Sequence, residues 1–279
     1  MKTLFVSDLD GTLLTKDECV SEYSIRHLNA LLERGLALTY ATARSVSGVK
    51  RALRGVNFQL PAVFYNGALI YDIVHGQALD CQFFQQELRR KLYESLLGFG
   101  IAPLVFGACP ERETVSWIEG KESPGMLRYL ERRRGDERLR PVRTEDALLD
   151  GYVFTFKCVG PRETMERAWN VLKYDPALIC IYHQETYQED YWMDISVRSA
   201  TKANGVQFLK RYYGCDKLVC FGDSSNDSDM FDVCDEKYAV MNADSWLKEK
   251  ATGVIGYCEE DGVAKWLDEH AFDDRSAQQ

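Results

Sequence analysis

Thr3-Leu4-Phe5-Val6-Ser7-Asp8-Leu9-Asp10-Gly11-Thr12 is an apolar run that ends in two carboxylates, a glycine and a hydroxyl. A short apolar run of this kind reads as a buried strand of a parallel sheet. In a doubly wound sheet, ligands bind in the crevice outside the carboxyl ends of the strands, which is where Asp8 and Asp10 fall. Gly11 lets the chain turn out of the strand. Two carboxylates so close are not both comfortable ionised without a cation nearby, and an oxygen-only site suits Mg²⁺. Asp-Gly is also an ordinary turn dipeptide, so this stretch alone leaves a polar β-turn as the alternative.

Working outward, strand and helix signals alternate. Ser21 caps a helix with Ile25, Leu28, Leu31 and Leu32 at helical spacing, and Gly35 ends it. Leu36 to Ala41 is the next strand, a helix runs through Val46, Val49 and Leu53, and Ala62 to Tyr65 is a third strand. Asn66-Gly67 and His75-Gly76 bracket Leu69-Ile70-Tyr71 as a short hairpin. The last third repeats the alternation: a helix from about Lys202 to Tyr213 stopped by Gly214, strands at Leu218–Phe221, Ala239–Met241 and Gly253–Ile255, and a closing helix with Val263, Trp266 and Leu267. Such alternation at both ends predicts an α/β fold, a Rossmann-like doubly wound parallel sheet with helices on both faces. The middle reads as α+β, with a helix over Leu88, Leu92 and Leu96, another from Gly160-Pro161 to Tyr174, and strands at Tyr152–Phe156 and Leu178–Tyr182. We therefore expect a discontinuous core, residues 1–80 plus 192–279, interrupted by an inserted domain over 81–191. The Arg132-Arg133-Arg134 run reads as a solvated helix end.

The 279 residues carry 34 Lys plus Arg against 43 Asp plus Glu, a formal net charge of −9, with 46% hydrophobic and 28% charged residues. At about 150 residues per domain, this length accommodates two domains or one with a large insertion. The composition excludes disordered and fibrous architectures. The negative excess repels phosphate backbones and anionic lipid, which argues against nucleic-acid and membrane partners. It does not exclude a small anionic substrate held by a local cation. No stretch approaches the roughly 18 consecutive apolar residues of a membrane span, and Asp8 and Asp10 interrupt the leading apolar run before it could serve as a signal-peptide core. The nine cysteines form no Cys-x-x-Cys pair and no Cys/His cluster, and fit free thiols in a reducing cytoplasm.

Three further features carry chemistry. Gly222-Asp223-Ser224-Ser225-Asn226-Asp227 again follows an apolar strand. Alone it is equally a loop capping the next helix, but carboxylates from two strand ends can converge on one hard cation. Ala41-Thr42-Ala43-Arg44 ends a strand in a hydroxyl that can donate to an anion, with a helix N-cap as the plainer explanation. Lys202 opens a helix; a lone lysine is nearly always on the surface.

In this order, the Asp-x-Asp-Gly-Thr loop, the Thr strand end, the Lys and the Gly-Asp-x-x-Asn-Asp loop resemble the haloacid dehalogenase superfamily of phosphohydrolases. The likeness is to its Cof-type subfamily with a large α/β cap, and it spans the whole chain. Asn66-Gly67-Ala68 is similar to the family's Asn-Gly element before the cap. Ala43 departs from the common Thr-Gly-Arg, and because Ala requires φ < 0, the placement of Arg44 is the open question.

The resemblance implies that Asp8 attacks phosphorus and becomes an aspartyl phosphate, which splits one hard displacement into two. Asp10 is implied to protonate the leaving oxygen and then deprotonate water. Mg²⁺ is implied to be held by Asp8, the Asp10 carbonyl and Asp223, with Asp227 binding metal-bound water or orienting Lys202. Thr42 and Lys202 would grip the phosphoryl oxygens, with Arg44, Asn66, Gly67 and Asn226 on the substrate side. The implied activity is Mg²⁺-dependent hydrolysis of a small phosphorylated metabolite. A phosphotransferase or mutase sharing the intermediate, and a non-catalytic sensor of phosphorylated ligands, are the alternatives. Within the insertion, Arg112, Lys121, Arg128, His183 and Tyr187 are candidate substrate contacts, each more simply surface or packing, and Trp117 and Trp192 read as cap core.

Overall fold

The computed structural model describes residues 2–109, 112–184 and 190–272. β1 (Thr3–Ser7) is buried at its last four positions, as an apolar strand covered on both faces must be. The chain turns through Asp8 to Thr12 and reaches α1 (Glu22–Glu33), whose first turn is closed by the Ser21 hydroxyl accepting from the Ser24 N–H at 3.0 Å. β2 (Leu38–Tyr40), α2 (Val46–Ala52) and β3 (Ala62–Phe64) follow. β4 (Leu69–Asp72) and β5 (Gln77–Cys81) then fold back beside β3 as a three-stranded sheet.

The chain divides into two compact units, Met1–Asp80 with Ala200–Gln279, and Cys81–Ser199. The second contains α3 (Gln86–Gly98), β6 (Leu104–Cys109), β7 (Arg112–Ile118), α4 (Pro124–Glu131), β8 (Leu139–Val142), α5 (Glu145–Leu148), β9 (Tyr152–Gly160), α6 (Arg162–Leu172), β10 (Leu178–Gln184) and β11 (Tyr191–Val197). Its six-stranded sheet has the order β10-β11-β9-β6-β7-β8. Pairing is antiparallel except between β7 and β8. Phe84, Leu92, Leu96, Phe156, Met193 and Ile195 form the centre of its core. β11 pairs with both β9 and β10, so its residues close the second unit at Ser199 instead of opening the return to the first. Arg132 to Arg134 follow α4 on the surface, as their charge requires.

Returning to the first unit, the chain forms α7 (Lys202–Tyr213), β12 (Lys217–Gly222), α8 (Ser228–Val233), β13 (Glu236–Val240), α9 (Ser245–Lys250), β14 (Gly253–Ile255) and α10 (Gly262–His270). α7 stops at Gly214 in the left-handed conformation. The main sheet is parallel throughout, ordered β14-β13-β12-β1-β2, and a parallel bridge from Ala41 to Val63 extends it to β3. β1 lies between β2, the next strand in sequence, and β12, which the chain reaches only after the second unit. The strand order reverses at β1, the position where such sheets open a ligand crevice. Among the described residues no helix is long and apolar enough to cross a membrane. Cys19, Cys158, Cys180, Cys215, Cys220, Cys234 and Cys258 are free thiols.

Candidate active site

Asp8 leaves the end of β1 with its N–H donating to the Phe221 carbonyl at 2.9 Å. The two acidic loops are thereby joined at their roots. Ser7 pairs with Phe221, and Gly11, at φ 76°, has no room for a side chain: a Cβ there would come within 2.4 Å of an Asp223 carboxylate oxygen. Glycine at this turn is what lets Asp223 lie against it. Thr12 adds a long contact from its hydroxyl to Asp223 Oδ1, 3.4 Å. Ligand oxygens of Asp8, Asp223 and Asp227 all fall within 4.8 Å of one another.

Lys202 is fully buried, contrary to the usual position of a lysine. Its ammonium donates to Asp8 Oδ1 at 2.5 Å and to Asp227 Oδ1 at 2.7 Å. Asp227's other oxygen accepts the Asp223 and Ser224 N–H groups at 3.0 and 3.2 Å, so both of its oxygens are engaged within the protein. The placement of Lys202 depends on Gly67. A Cβ at Gly67 (φ 103°) would lie 2.0 Å from the Thr201 carbonyl oxygen, so only glycine allows the start of α7 to seat here. Gly67 therefore backs Lys202.

Burial drives the Asp8 carboxyl well above the usual carboxylate range, with Lys202 pulling it down and Asp227 and Asp223 pushing it up. For Lys202, burial opposes the charge, but Asp227 and Asp8 outweigh it and keep the ammonium protonated. Burial, followed by the charge of Asp227, pushes Asp223 up to about 6. Three converging carboxylates against one ammonium leave about two negative charges uncompensated when all are ionised. That donor set fits a small divalent cation bound by oxygens.

The Ala41 N–H donates to the Ser7 carbonyl at 3.0 Å, so Thr42 and Asp8 leave adjacent strands at one level. Thr42 is fully buried, and its Oγ1 accepts the Arg44 N–H at 3.1 Å. Ala43 does not take a positive φ, so the turn forms with alanine at the middle position of Thr-Gly-Arg. Arg44 then reaches Asp10, its Nε 2.9 Å from Oδ2 and its Nη2 2.5 Å from Oδ1, with a further contact to Glu18 at 3.1 Å. Asp10's carboxylate is half-exposed and turned to Arg44, outside the group formed by the other three. Asn66 takes φ 54° beside Tyr65 at 50°, two consecutive left-handed non-glycine residues of the kind that collect at functional sites. The Asn66 N–H donates to the Thr42 carbonyl at 2.9 Å, and its side chain accepts from Asn226 at 3.5 Å.

In the second unit, Arg112 donates to the Glu137 carbonyl at 2.7 Å, Arg128 pairs with Asp190, and Lys121 and His183 are exposed. Tyr187 lies outside the described residues. Trp117 and Trp192 are both buried. Sequence reasoning placed Thr12 in the first acidic loop without giving it a role, and it missed Asn242. The latter donates to the Gly11 carbonyl at 2.7 Å, and only its position after the β13 strand signal could have drawn attention to it.

The sequence profile of the haloacid dehalogenase-like hydrolase family matches residues 5–267. The chain is 24% identical to a Bacillus subtilis protein named 5-amino-6-(5-phospho-D-ribitylamino)uracil phosphatase, over 94% of this chain and 96% of that one. It is 25% identical to the HMP-PP phosphatase of Serratia proteamaculans, over 96% and 94%. In fold it is similar to a crystal structure from Thermotoga maritima, with TM-score 0.79 and 20% identity over 98% of this chain and 99% of the other. A haloacid dehalogenase-like hydrolase from Bacteroides thetaiotaomicron superposes with TM-score 0.76 at 20% identity, covering 96% and 99%. The chain belongs to the haloacid dehalogenase-like hydrolases.

Proposed function

We propose that the protein is a Mg²⁺-dependent phosphatase of small phosphorylated metabolites, working through an aspartyl phosphate on Asp8. The observation that carries this reading is the buried Lys202 ammonium shared by Asp8 and Asp227, with Asp223 within reach of the same point. A carboxylate is a competent nucleophile toward phosphorus when its approach and its charge are both controlled.

Asp8 forms the new bond to phosphorus as the bond to the leaving oxygen breaks, and Asp10 delivers a proton to that oxygen. Asp10 then takes a proton from water, whose oxygen attacks phosphorus and releases Asp8 and inorganic phosphate. An ammonium has three donors. Two of Lys202's are directed at Asp8 and Asp227, which leaves the third for a phosphoryl oxygen, beside the Thr42 hydroxyl. Asp8, Asp223 and the Asp10 carbonyl would hold Mg²⁺, which supplies charge stabilisation to the transferring group when bound. With both its oxygens engaged, Asp227 orients Lys202. We assign the second unit the role of a substrate-selecting cap, and place the chain in the cytoplasm on the strength of its free thiols.

The relatives' names point toward phosphate esters of ribityl or pyrimidine compounds as the first substrates to screen. The test is phosphate release from an aryl phosphate with Mg²⁺, with EDTA, and with EDTA followed by excess Mg²⁺. The expected result is turnover, abolition and recovery. Binding without release would favour a sensor, and ester consumption exceeding phosphate release in the presence of a sugar would favour transfer to a second hydroxyl.

A further inference from the structure

Asn242 follows β13 on the surface, yet its side chain bridges two loops of the first unit. Its Nδ2 donates to the Gly11 carbonyl at 2.7 Å and its Oδ1 accepts the Cys258 N–H at 3.0 Å. The orientation of the amide is fixed by its partners: reversed, it would set two acceptors together and two donors together. Two residues on, the Asp244 N–H donates to the Asp223 carbonyl at 2.8 Å. One short loop thus holds a carbonyl in each of the two acidic turns.

The segment after Cys258 continues the attachment. Glu259 accepts the Lys16 N–H at 2.5 Å. Asp261 accepts from the Ser24 hydroxyl at 2.8 Å and from the Ser21 hydroxyl. The stretch from Gly11 to Ser24 is therefore held by Asn242 at its start and by Glu259 and Asp261, just before α10, at Lys16, Ser21 and Ser24. Gly11 is the point where such holding matters, because a glycine at φ 76° can leave that conformation at little steric cost.

We infer that Asn242 is a positioning residue of the active site. By holding the Gly11 carbonyl it sets the turn that aims Asp10 and receives Asp223, and so sets both turnover and divalent-cation affinity. The inference rests on the phosphatase reading for its kinetic part and on the carboxylate cluster alone for its cation part.

The test compares full-length Asn242→Ala and Asn242→Asp. Aspartate keeps an acceptor for the Cys258 N–H but loses the donor to Gly11, so it separates the two bonds. Both variants are expected to lower kcat on an aryl phosphate about 10- to 100-fold with KM little changed, and to weaken Mg²⁺ binding in calorimetry by a similar order. Parental kcat and Mg²⁺ affinity in Asn242→Asp would overturn the inference, as would losses that merely follow the unfolded fraction. If the parent protein released no phosphate, the activity reading alone would fall, and the Mg²⁺ titrations would still decide the role of Asn242.

Discussion

Lys202 Nζ lies 2.5 Å from Asp8 Oδ1, in a place where the lysine is shut off from solvent and the aspartate almost so. The pair joins the end of β1 to the start of α7, and Asp227 completes it from the loop after β12. An ion group buried this deeply is costly to assemble and more costly to break, because removing one partner strands the others in low dielectric.

Replacing Lys202 with methionine keeps most of the length of the side chain and removes the charge. Asp8, Asp227 and Asp223 then face one another with no compensating cation. We expect a loss of about 3–5 kcal/mol in urea unfolding and turnover reduced at least about 10³-fold. Added Mg²⁺ should restore part of the stability but not the rate. A variant that unfolds at the parent's urea concentration would show that the ammonium does not hold these carboxylates.

Asp8→Asn is expected to abolish phosphate release while leaving the circular dichroism spectrum unchanged. The amide oxygen can still accept from Lys202, so the fold keeps its bond, but the nucleophilic carboxylate is gone. Parental turnover in a preparation free of wild-type protein would exclude Asp8 as the attacking group.

Gly67→Ala tests whether the seat of Lys202 is set from behind. The added Cβ meets the Thr201 carbonyl at 2.0 Å and would sit at φ 103°, so the start of α7 has to move. We expect more than about 2 kcal/mol of destabilisation together with a fall in kcat larger than the unfolded fraction explains. Unchanged kinetics would mean that the helix can retreat without carrying Lys202 with it.

The parallel sheet and its acidic loops were legible because burial on both faces demands continuous apolar runs, and the chemistry begins at the residue where each run ends. Asp8 and Asp223 show this directly. The second unit was harder to read. β8 contains Arg140 and Pro141 and lies at the sheet edge, where proline is tolerated and the apolar signal fades. β7 begins with Arg112 and Glu113 and buries only its later positions, and Gly107 interrupts β6 at a shift in register. Within the site, the buried state of Lys202 depends on Asp8, 194 residues away, as well as on the nearer Asp227, and the backing role of Gly67 depends on Thr201, which the chain reaches only after the second unit. Asn242 acts on the backbone carbonyl of Gly11, which leaves no residue-type signature in the turn it touches.

The edge of the second unit's sheet offers a prediction in pH. Arg138 grips Asp136 through Nε at 3.0 Å and Nη2 at 2.6 Å, and its own N–H adds a bond of 3.0 Å. The Val115 N–H then donates to the Arg138 carbonyl at 2.8 Å, which ties this turn to β7 where β8 begins. The Arg138 side-chain bond holds the Asp136 carboxyl below its usual range, against the opposing effect of burial. A carboxyl whose folded value lies below its unfolded value of about 3.9 contributes stability above that value and loses it as the pH falls through the folded one. Asp136→Asn should therefore cost about 0.5–1 kcal/mol at pH 7, the scale of a partly exposed ion pair with good geometry. The gap from the parent should narrow steadily below about pH 4. Urea midpoints followed by tryptophan fluorescence at pH 7, 5 and 3.5 would check this, and a gap that stays constant across that range would show that the Asp136 charge contributes nothing to holding β8.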